Sequence, residues 1–340
     1  MKHTVTGPVL VTGGTGFVGS HLVELLVSKG HEVTCLVRDP GNIRWLKGQK
    51  VSLMKGDCGD RDSLAAAVRN AAAVYHVAGL TKAARRRYYY EVNHIGTRNL
   101  LDACAHHGPG IRKFVLVSSL AAAGPAQADR PVKATDTPHP VSDYGRSKLL
   151  AEEETLKFKD RFPVVILRPS AVYGPRDTDV FELFRWAAKG YILDMSGGER
   201  FLNWCYVKDL AEALLMAGER SVPSGSVYFV AEDRVHSMTG FQKTLQESGG
   251  VTAKVIKVPV WAGHLIGLAA ETAGFLSGRA SIINRQKVRE AAQQYWTCDL
   301  DRIRIDLGFR AAMPLEQSAV KEAEHWTFLK NAGSSRLLKR

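Results

Sequence analysis

At 340 residues the chain can bury a substantial core, in one large domain or in two closely joined ones of about 100 to 200 residues each. Apolar residues make up 45% and charged residues 24%, the balance of a folded globular chain, which excludes disorder as the default state. Lys and Arg outnumber Asp and Glu by 46 to 34, and the resulting charge of +12 suits an anionic cofactor, nucleic acid or an acidic membrane surface without choosing among them.

The N-terminal "MKHTVTG" passes straight into "PVLVTGGTG", which leaves no room for a charged region, an apolar core and a cleavage site, so a cytoplasmic location is expected. Short β-rich runs then alternate with helical patterns: "PVLVTG", "EVTCLVR", "VSLMKGD", "AVYHVAG", "KFVLVSS" and "VVILRPS". Such alternation predicts an α/β fold with a doubly wound parallel sheet of the Rossmann type. Between the strands, "GSHLVELLVSKG" stops at Gly30 and "NHIGTRNLLDACAHHG" at Gly108, both helix-ending glycines. Past "YGPRD" the regularity breaks at the turn signals "SGGER" and "SVPSGS", and further strands are expected near "SVYFVAE" and "AKVIKVP". The dinucleotide-binding domain is therefore placed at 1–175. The stretch 204–245 is expected to return to it through "CYVKDLAEALLMAGE", a strand leading into a helix. A smaller, discontinuous substrate-binding region is expected at 176–203 and 246–332, with a flexible basic tail at 333–340. Within that region "PVWAGHLIGLAAETAGFLSG" is broken by His264 and Glu271 and is too short of continuous apolar residues to span a bilayer. Trp261, Leu265, Leu268 and Phe275 recur in it at helical spacing, as a core or lid helix would have them, or as a contact with a membrane surface or greasy substrate would. The five cysteines, Cys35, Cys58, Cys104, Cys205 and Cys298, are scattered and lack CxxC spacing, so neither disulfides nor a metal site is expected.

The stretch "LVTGGTGFVGSHLVELL" sets Gly13, Gly16 and Gly19 between the first strand and a helix. These glycines permit a tight turn, close approach of backbone to a pyrophosphate and close packing of helix on strand, with the phosphate at the helix N-terminus. In strand, turn and helix context this is a dinucleotide site, and Thr15, Phe17 and Val18 belong to the same cofactor-binding set. On the second strand, "HEVTCLVRDP", Val37 falls at the tip with Arg38 directly after it. Arginine there pairs with the 2′-phosphate of NADP, whereas an acid would accept from the ribose of NAD. NADP is thus favoured over NAD, with Asp39 the acid if the strand ends later and Arg38 only a solvated loop charge.

Further along, "SDYGRSK" places Tyr144 and Lys148 one turn apart on one helix face, a spacing that alone says little. With "TGGTGFVG", "GDCGD", "YHVAG", "EVNHIGTRNLLDAC", "FVLVSS" and "LRPSAVYGPRD" in order around it, the chain resembles the extended short-chain dehydrogenase/reductases, the NAD-dependent epimerase/dehydratase family, over roughly its first half. Weaker signals continue in "YVKDLAEA", "DLDRIRIDLGF" and "PLEQSAVKEAEHW". The resemblance implies that Tyr144 is the acid/base, that the Lys148 ammonium favours its phenolate and holds the nicotinamide ribose, and that Ser119 hydrogen-bonds the reacting oxygen. Ser118 is the alternative by one residue, and only one of two strand neighbours can face the site. It further implies Asp57 and Cys58 near adenine, Ala78 and Gly79 near the diphosphate and ribose, and Pro169 and Ser170 near the nicotinamide amide. Asn93 is expected to be structural, and "RRRYYY", Arg85 to Tyr90, to be a solvated helix start or part of the substrate entrance.

Two absences bear on the substrate. Dehydratases of the family carry an acidic pair after the catalytic Ser or Thr, where this chain has "SSLAAAG". Sugar-nucleotide epimerases place an arginine on the substrate diphosphate within the stretch matching "RFLNWCYVKD", where Leu202 stands here, with Arg200 the substitute if the loop is shifted. Replacing a phosphate clamp by leucine suits an apolar ligand. The stretch "SIINRQKVREAAQQYWTCDLDRIRIDLGF" also resembles the 3β-hydroxysteroid dehydrogenase and sterol-4α-carboxylate dehydrogenase branch. The leading expectation is oxidation or reduction of a secondary alcohol or ketone on a hydrophobic, steroid- or isoprenoid-like small molecule. The alternatives are a sugar-nucleotide epimerase with retained NAD and a non-catalytic dinucleotide sensor. The family often forms homodimers, contact with a membrane surface is left open, and no nucleic-acid partner is expected because no aromatic RNA-binding motif is present.

Overall fold

Seven short runs come together in one parallel sheet, all but the edge strand β3 mostly buried on both faces. The computed structural model describes residues 7–128, 130–178, 182, 186–187, 189–194, 198–277 and 284–318; the expected tail 333–340, the stretch 319–332 and the side chain of Phe275 lie outside the described residues. In chain order the first half runs β1 (Val9–Thr12), α1 (Phe17–Ser28), β2 (Val33–Val37), β3 (Val51–Lys55), α2 (Arg61–Val68), β4 (Ala73–His76), α3 (Arg86–Tyr89), a π-helical turn over Tyr90–Ile95, α4 (Gly96–His107), β5 (Lys113–Val117), α5 (Leu120–Ala123), α6 (Asp143–Leu156) and β6 (Val164–Pro169). The second half follows with β7 (Ala171–Tyr173), β8 (Tyr191–Asp194), β9 (Phe201–Tyr206), α7 (Val207–Glu219), β10 (Ser226–Val230), β11 (Val235–Ser237), α8 (Met238–Gly249), β12 (Lys254–Lys257), α9 (Val260–Ser277), α10 (Arg285–Ala291), β13 (Tyr295–Trp296) and α11 (Asp301–Leu307).

The main sheet has the order β10-β6-β5-β4-β1-β2-β3. Alternate side chains of each strand feed two separate cores. Val9, Val11, Cys35, Tyr75, Val115 and Leu167 pack with Leu22 and Leu26 of α1 and Leu210 and Leu214 of α7. Leu10, Leu36, Val74, Phe114, Leu116 and Ile166 pack on the other face with Leu64 of α2, Leu100 of α4 and Ala151 of α6. This period-two division is what makes the sheet doubly wound. The strand order reverses between β1 and β4, and at such a switch point the carboxyl ends of the strands leave a crevice for ligand.

Of the segment expected to return to the main sheet, 204–245, only α7 and β10 do so: α7 lies on α1, and β10 pairs with β6. The strand β9 instead centres a smaller sheet, antiparallel to β11 and parallel to β7 and β13. Asn203 ties this sheet together, donating to the Glu232 and Arg234 carbonyls at 3.2 and 3.1 Å and accepting from the Cys298 amide at 3.1 Å.

The apolar stripe of α9 does not enter the core. Trp261, Leu265 and Leu268 are 69%, 60% and 44% exposed, whereas Gly263 and Gly267 are buried. A Cβ at Gly267 would stand 2.9 Å from the Arg285 nitrogen, so the helix packs by its glycine face on the start of α10. Glu271 fastens the contact, accepting from the Arg285 amide and guanidinium, both at 2.8 Å. Helical spacing reported the stripe but not which side of the helix is covered. Among the described residues no helix is long and apolar enough to cross a membrane.

Candidate active site

The turn between β1 and α1 is shaped for a closely approaching phosphate. Gly13 has φ 77°, and a Cβ there would sit 2.6 Å from the Ala78 amide of the neighbouring strand end; one at Gly19 would sit 2.1 Å from the Gly13 carbonyl. The Gly16 amide closes the turn on the Gly13 carbonyl at 3.0 Å. No side chain caps α1, so the first-turn amides beyond Thr15, including those of Phe17 and Val18, remain for an anion. The glycine cradle and uncapped helix end together fit the pyrophosphate of a dinucleotide.

At the tip of β2 the strand ends on Val37, and the Arg38 side chain is 82% exposed, 4.0 Å from Asp57. Asp39 is turned into its own loop, accepting from the Gly41 amide at 2.9 Å. Asp57 caps the Gly59 amide at 2.6 Å. The Cys58 carbonyl accepts from Asn99 at 3.0 Å, and burial, with Asp57 adding to it, pushes the Cys58 thiol up to about 12. At the end of β6, Pro169 pairs with Val230, and the Ser170 hydroxyl donates to the Asn203 carbonyl at 2.6 Å.

Beneath the switch point a buried polar chain joins β1, β4 and α4. Thr12 Oγ1 lies 2.7 Å from His76 Nδ1, and His76 Nε2 lies 2.9 Å from Thr97 Oγ1, which donates to the Asn93 carbonyl at 2.6 Å. Burial, then the charge of Lys148, lowers His76 to about 3, so the imidazole is neutral. Asn93 sits on the π turn and clamps Leu80, accepting from its amide at 2.7 Å and donating to its carbonyl at 3.0 Å, with a further bond to Ser147 at 2.9 Å. It is tied up in holding the loop after β4 against α6.

Ser118 and Ser119 part as strand alternation requires. Ser118 Oγ donates inward to Glu152, which is paired with Arg168 through bonds of 2.9 and 2.6 Å, all in the core. Ser119 caps α5, accepting from the Ala121 amide at 3.1 Å, and its hydroxyl acts to lower the Tyr144 phenol. Lys148 donates to the Val117 carbonyl at 2.6 Å, and a Cβ at Gly79 would stand 3.4 Å from its Nζ. Burial pushes the Lys148 ammonium down to about 8, against the opposing pull of Glu152.

Burial raises the Tyr144 phenol above its ordinary value, and the groups that act against burial are the Ser119 hydroxyl and the charge of Lys287; Glu290 adds to the rise. Lys148, expected to supply the ammonium, gives one of its three N–H donors to the Val117 carbonyl at 2.6 Å. Lys287 of α10 stands 5.5 Å from the centre of the Tyr144 ring. Its helix seats on the first turn of α6. Gln286 accepts from the Asp143 amide at 2.5 Å and donates to the Asp143 carboxylate at 2.7 Å, and Glu290 accepts from Ser142 at 2.5 Å and from Lys287 at 2.8 Å. Asp143 is also reached by Tyr90 and Arg86, each at 2.6 Å, and the Tyr89 ring lies 6.2 Å from that of Tyr144. Part of "RRRYYY" is thus packed on the catalytic helix rather than solvated. Gln286, Lys287 and Glu290 were not among the expected site residues, because a contact across more than a hundred positions leaves no local pattern. Leu202, at the expected arginine position, is buried in β9, and Arg200 carries a buried Nε without a hydrogen-bond partner.

A doubly wound dinucleotide fold with serine, tyrosine and lysine gathered at its carboxyl edge defines an NAD(P)-dependent extended short-chain dehydrogenase/reductase. The chain belongs to the NAD dependent epimerase/dehydratase family, whose model matches residues 9–231. It is similar to a ceramide reductase of Caulobacter vibrioides, 31% identical over 300 residues, with 87% of this chain and 88% of the relative covered. It is also similar to a 3 beta-hydroxysteroid dehydrogenase/Delta 5-->4-isomerase of Mycobacterium tuberculosis, 30% identical over 267 residues, with 73% and 70% covered. Among solved structures, MoeE5 in complex with UDP-glucuronic acid and NAD superposes with a TM-score of 0.76 at 25% identity, covering 95% of this chain and all of that one.

Proposed function

We propose that this protein interconverts a secondary alcohol and a ketone on a hydrophobic, steroid- or isoprenoid-like substrate, with NADP favoured over NAD. The observation that carries the reading is the close seating of α6 on α5 at the carboxyl edge of the sheet, where a Cβ at Gly145 would stand 2.3 Å from the Ala121 carbonyl and the Ser119 hydroxyl acts on the Tyr144 phenol. When bound, the nicotinamide supplies the hydride donor or acceptor; the protein supplies the proton. Tyr144 holds or takes that proton, Ser119 orients the substrate oxygen, and Lys148, beneath Gly79, holds the ribose. Burial raises the Tyr144 phenol above its ordinary value, and the protonated phenol can donate to a ketone oxygen.

An apolar substrate is supported by Leu202 in place of a diphosphate clamp, by the exposed face of α9, and by relatives named for ceramide and 3 beta-hydroxysteroid. That face, together with the net charge of +12, also supports uptake of substrate from a lipid surface. NADP is supported by the exposed guanidinium of Arg38 at the tip of β2 and by Asp39 being engaged in its own turn. Cytoplasmic placement and a homodimer are kept as part of this reading. A sugar-nucleotide epimerase with retained NAD is the second reading, favoured by the likeness to MoeE5. Absorbance of the reduced cofactor, followed with NADPH or NADH against lipid ketones, steroids and sugar nucleotides, tests the choice. Consumption with a lipid ketone, faster with NADPH, is the expected result. Silence there, with a sugar nucleotide isomerised on chromatography, would replace it by the second reading.

A further inference from the structure

We propose that Lys287 is a positioning residue for the reaction, a second cation that α10 holds over Tyr144 from the C-terminal region. The inference rests on the reading of Tyr144 as the proton-transfer group, and deepens it by naming what acts on the phenol.

The placement of Lys287 is fixed from several sides. Asn284 caps α10 by accepting from the Lys287 amide at 2.8 Å, which sets the backbone from which the side chain leaves. Trp296 closes the other end, its indole donating to the Glu290 carbonyl at 2.9 Å. Between these two anchors Gln286 grips Asp143, Glu290 grips Ser142, and Lys287 bridges the intervening space from Glu290 to the Tyr144 ring. One short helix thereby holds three consecutive residues of the α6 N-terminus, the last of which is the tyrosine.

The groups facing the phenol come from three elements besides its own helix: Ser119 at the start of α5, Lys287 and Glu290 from α10, and Tyr89 from α3. Those acting on Lys287 are Glu290, Tyr144 and Tyr89; burial alone would lower its ammonium, and these partners raise it, so the residue is a cation throughout the neutral range. Lys148, meanwhile, is directed at the Val117 carbonyl. A cation favours phenolate and a carboxylate opposes it, so Lys287 and Glu290 pull Tyr144 in opposite directions. The arrangement also couples the site to α9: Arg285, two residues before Lys287, is the residue that Glu271 of α9 holds.

The opposite signs give the test. The phenol is titrated by NMR of protein labelled at the tyrosine ζ-carbon, with oxidised cofactor present, and the Tyr144 signal is assigned by its loss in Tyr144→Phe. Lys287→Met should move the Tyr144 titration upward, Glu290→Gln should move it downward, and Lys287→Arg should leave it near its original position. The limb of the pH–rate profile should follow the same three directions. Simple damage to the packing of α10 would displace both neutralising variants the same way. That result, or no displacement in Lys287→Met, would overturn the inference. Should Tyr144→Phe keep full turnover, the proton-transfer reading itself fails; should Tyr144→Phe be inactive while Lys287→Met titrates unchanged, only the role of Lys287 fails.

Discussion

The pair Glu152 and Arg168 lies directly behind the site, and its disruption tests how the catalytic face is supported. Both side chains are almost wholly buried, 3% and 4% exposed, and they meet through two bonds of 2.9 and 2.6 Å, with Ser118 as a third member. Glu152→Ala leaves the Arg168 guanidinium in the core without a counter-charge, and removing one partner of such a pair costs about 3 to 5 kcal/mol. The guanidinium cannot recover the loss locally, since its Nη1 already lacks a hydrogen-bond partner and its other neighbour is the face of Phe229 at 5.6 Å. Two consequences should appear in one preparation. Urea unfolding should show a loss of about 3 kcal/mol or more, and Glu152→Leu combined with Arg168→Met should restore most of it, because an apolar pair leaves no orphaned charge. Loss of the Glu152 charge also removes an attraction that holds up Lys148, so the lysine, already lowered to about 8 by burial, should titrate lower still. A single variant within about 1 kcal/mol of the wild type, or a double variant no better than the single, would refute the reasoning.

Replacing Arg38 by alanine should cut the preference for NADPH over NADH by about tenfold or more, the worth of one charge-assisted bond, as read from kcat/KM with each cofactor; an unchanged ratio would return Arg38 to a solvated loop charge. His76 is lowered from 6.5 to about 3 by burial, so between those values the unfolded chain binds a proton that the folded one does not. Its contribution to stability is therefore complete above about pH 6.5 and lost as pH falls toward 3, and His76→Gln should flatten that slope in urea titrations even if it lowers the plateau. Trp261→Ser with Leu265→Ser, at exposed positions, should change stability by no more than about 0.5 kcal/mol each yet weaken sedimentation with anionic vesicles and raise KM for a lipid substrate; equal vesicle binding would remove the lipid surface from the account.

How much of this was legible in the chain follows from the range of each interaction. The strands and the glycine turn are set by neighbours a few positions apart, so "PVLVTGG" announces β1 and its cradle, and the structure ends β2 on Val37 with Arg38 just beyond. Ser119, Tyr144 and Lys148 were nominated by family order, and geometry adds what order cannot: Ser118 is committed to Glu152, and Lys148 to Val117. The periodicity of Trp261, Leu265 and Leu268 correctly reads as a helix with an apolar stripe, but the period carries no information on what covers it; Gly267 against Arg285 decides that the opposite side is packed. Least legible was α10. Gln286 meets Asp143 and Glu290 meets Ser142 at separations of 143 and 148 residues, and nothing in "RQKVREA" distinguishes a clamp on the catalytic helix from an ordinary charged surface helix.

The most direct test of the central claim is turnover by Tyr144→Phe alongside its cofactor affinity. The phenyl ring keeps the packing with Tyr89 and Lys287 and loses only the hydroxyl. Ketone reduction should fall by about 100- to 10,000-fold, the usual contribution of a positioned proton donor, while the affinity for NADPH stays within about twofold. Full activity in this variant would contradict the account, because no proton-transferring role would then be left for Tyr144.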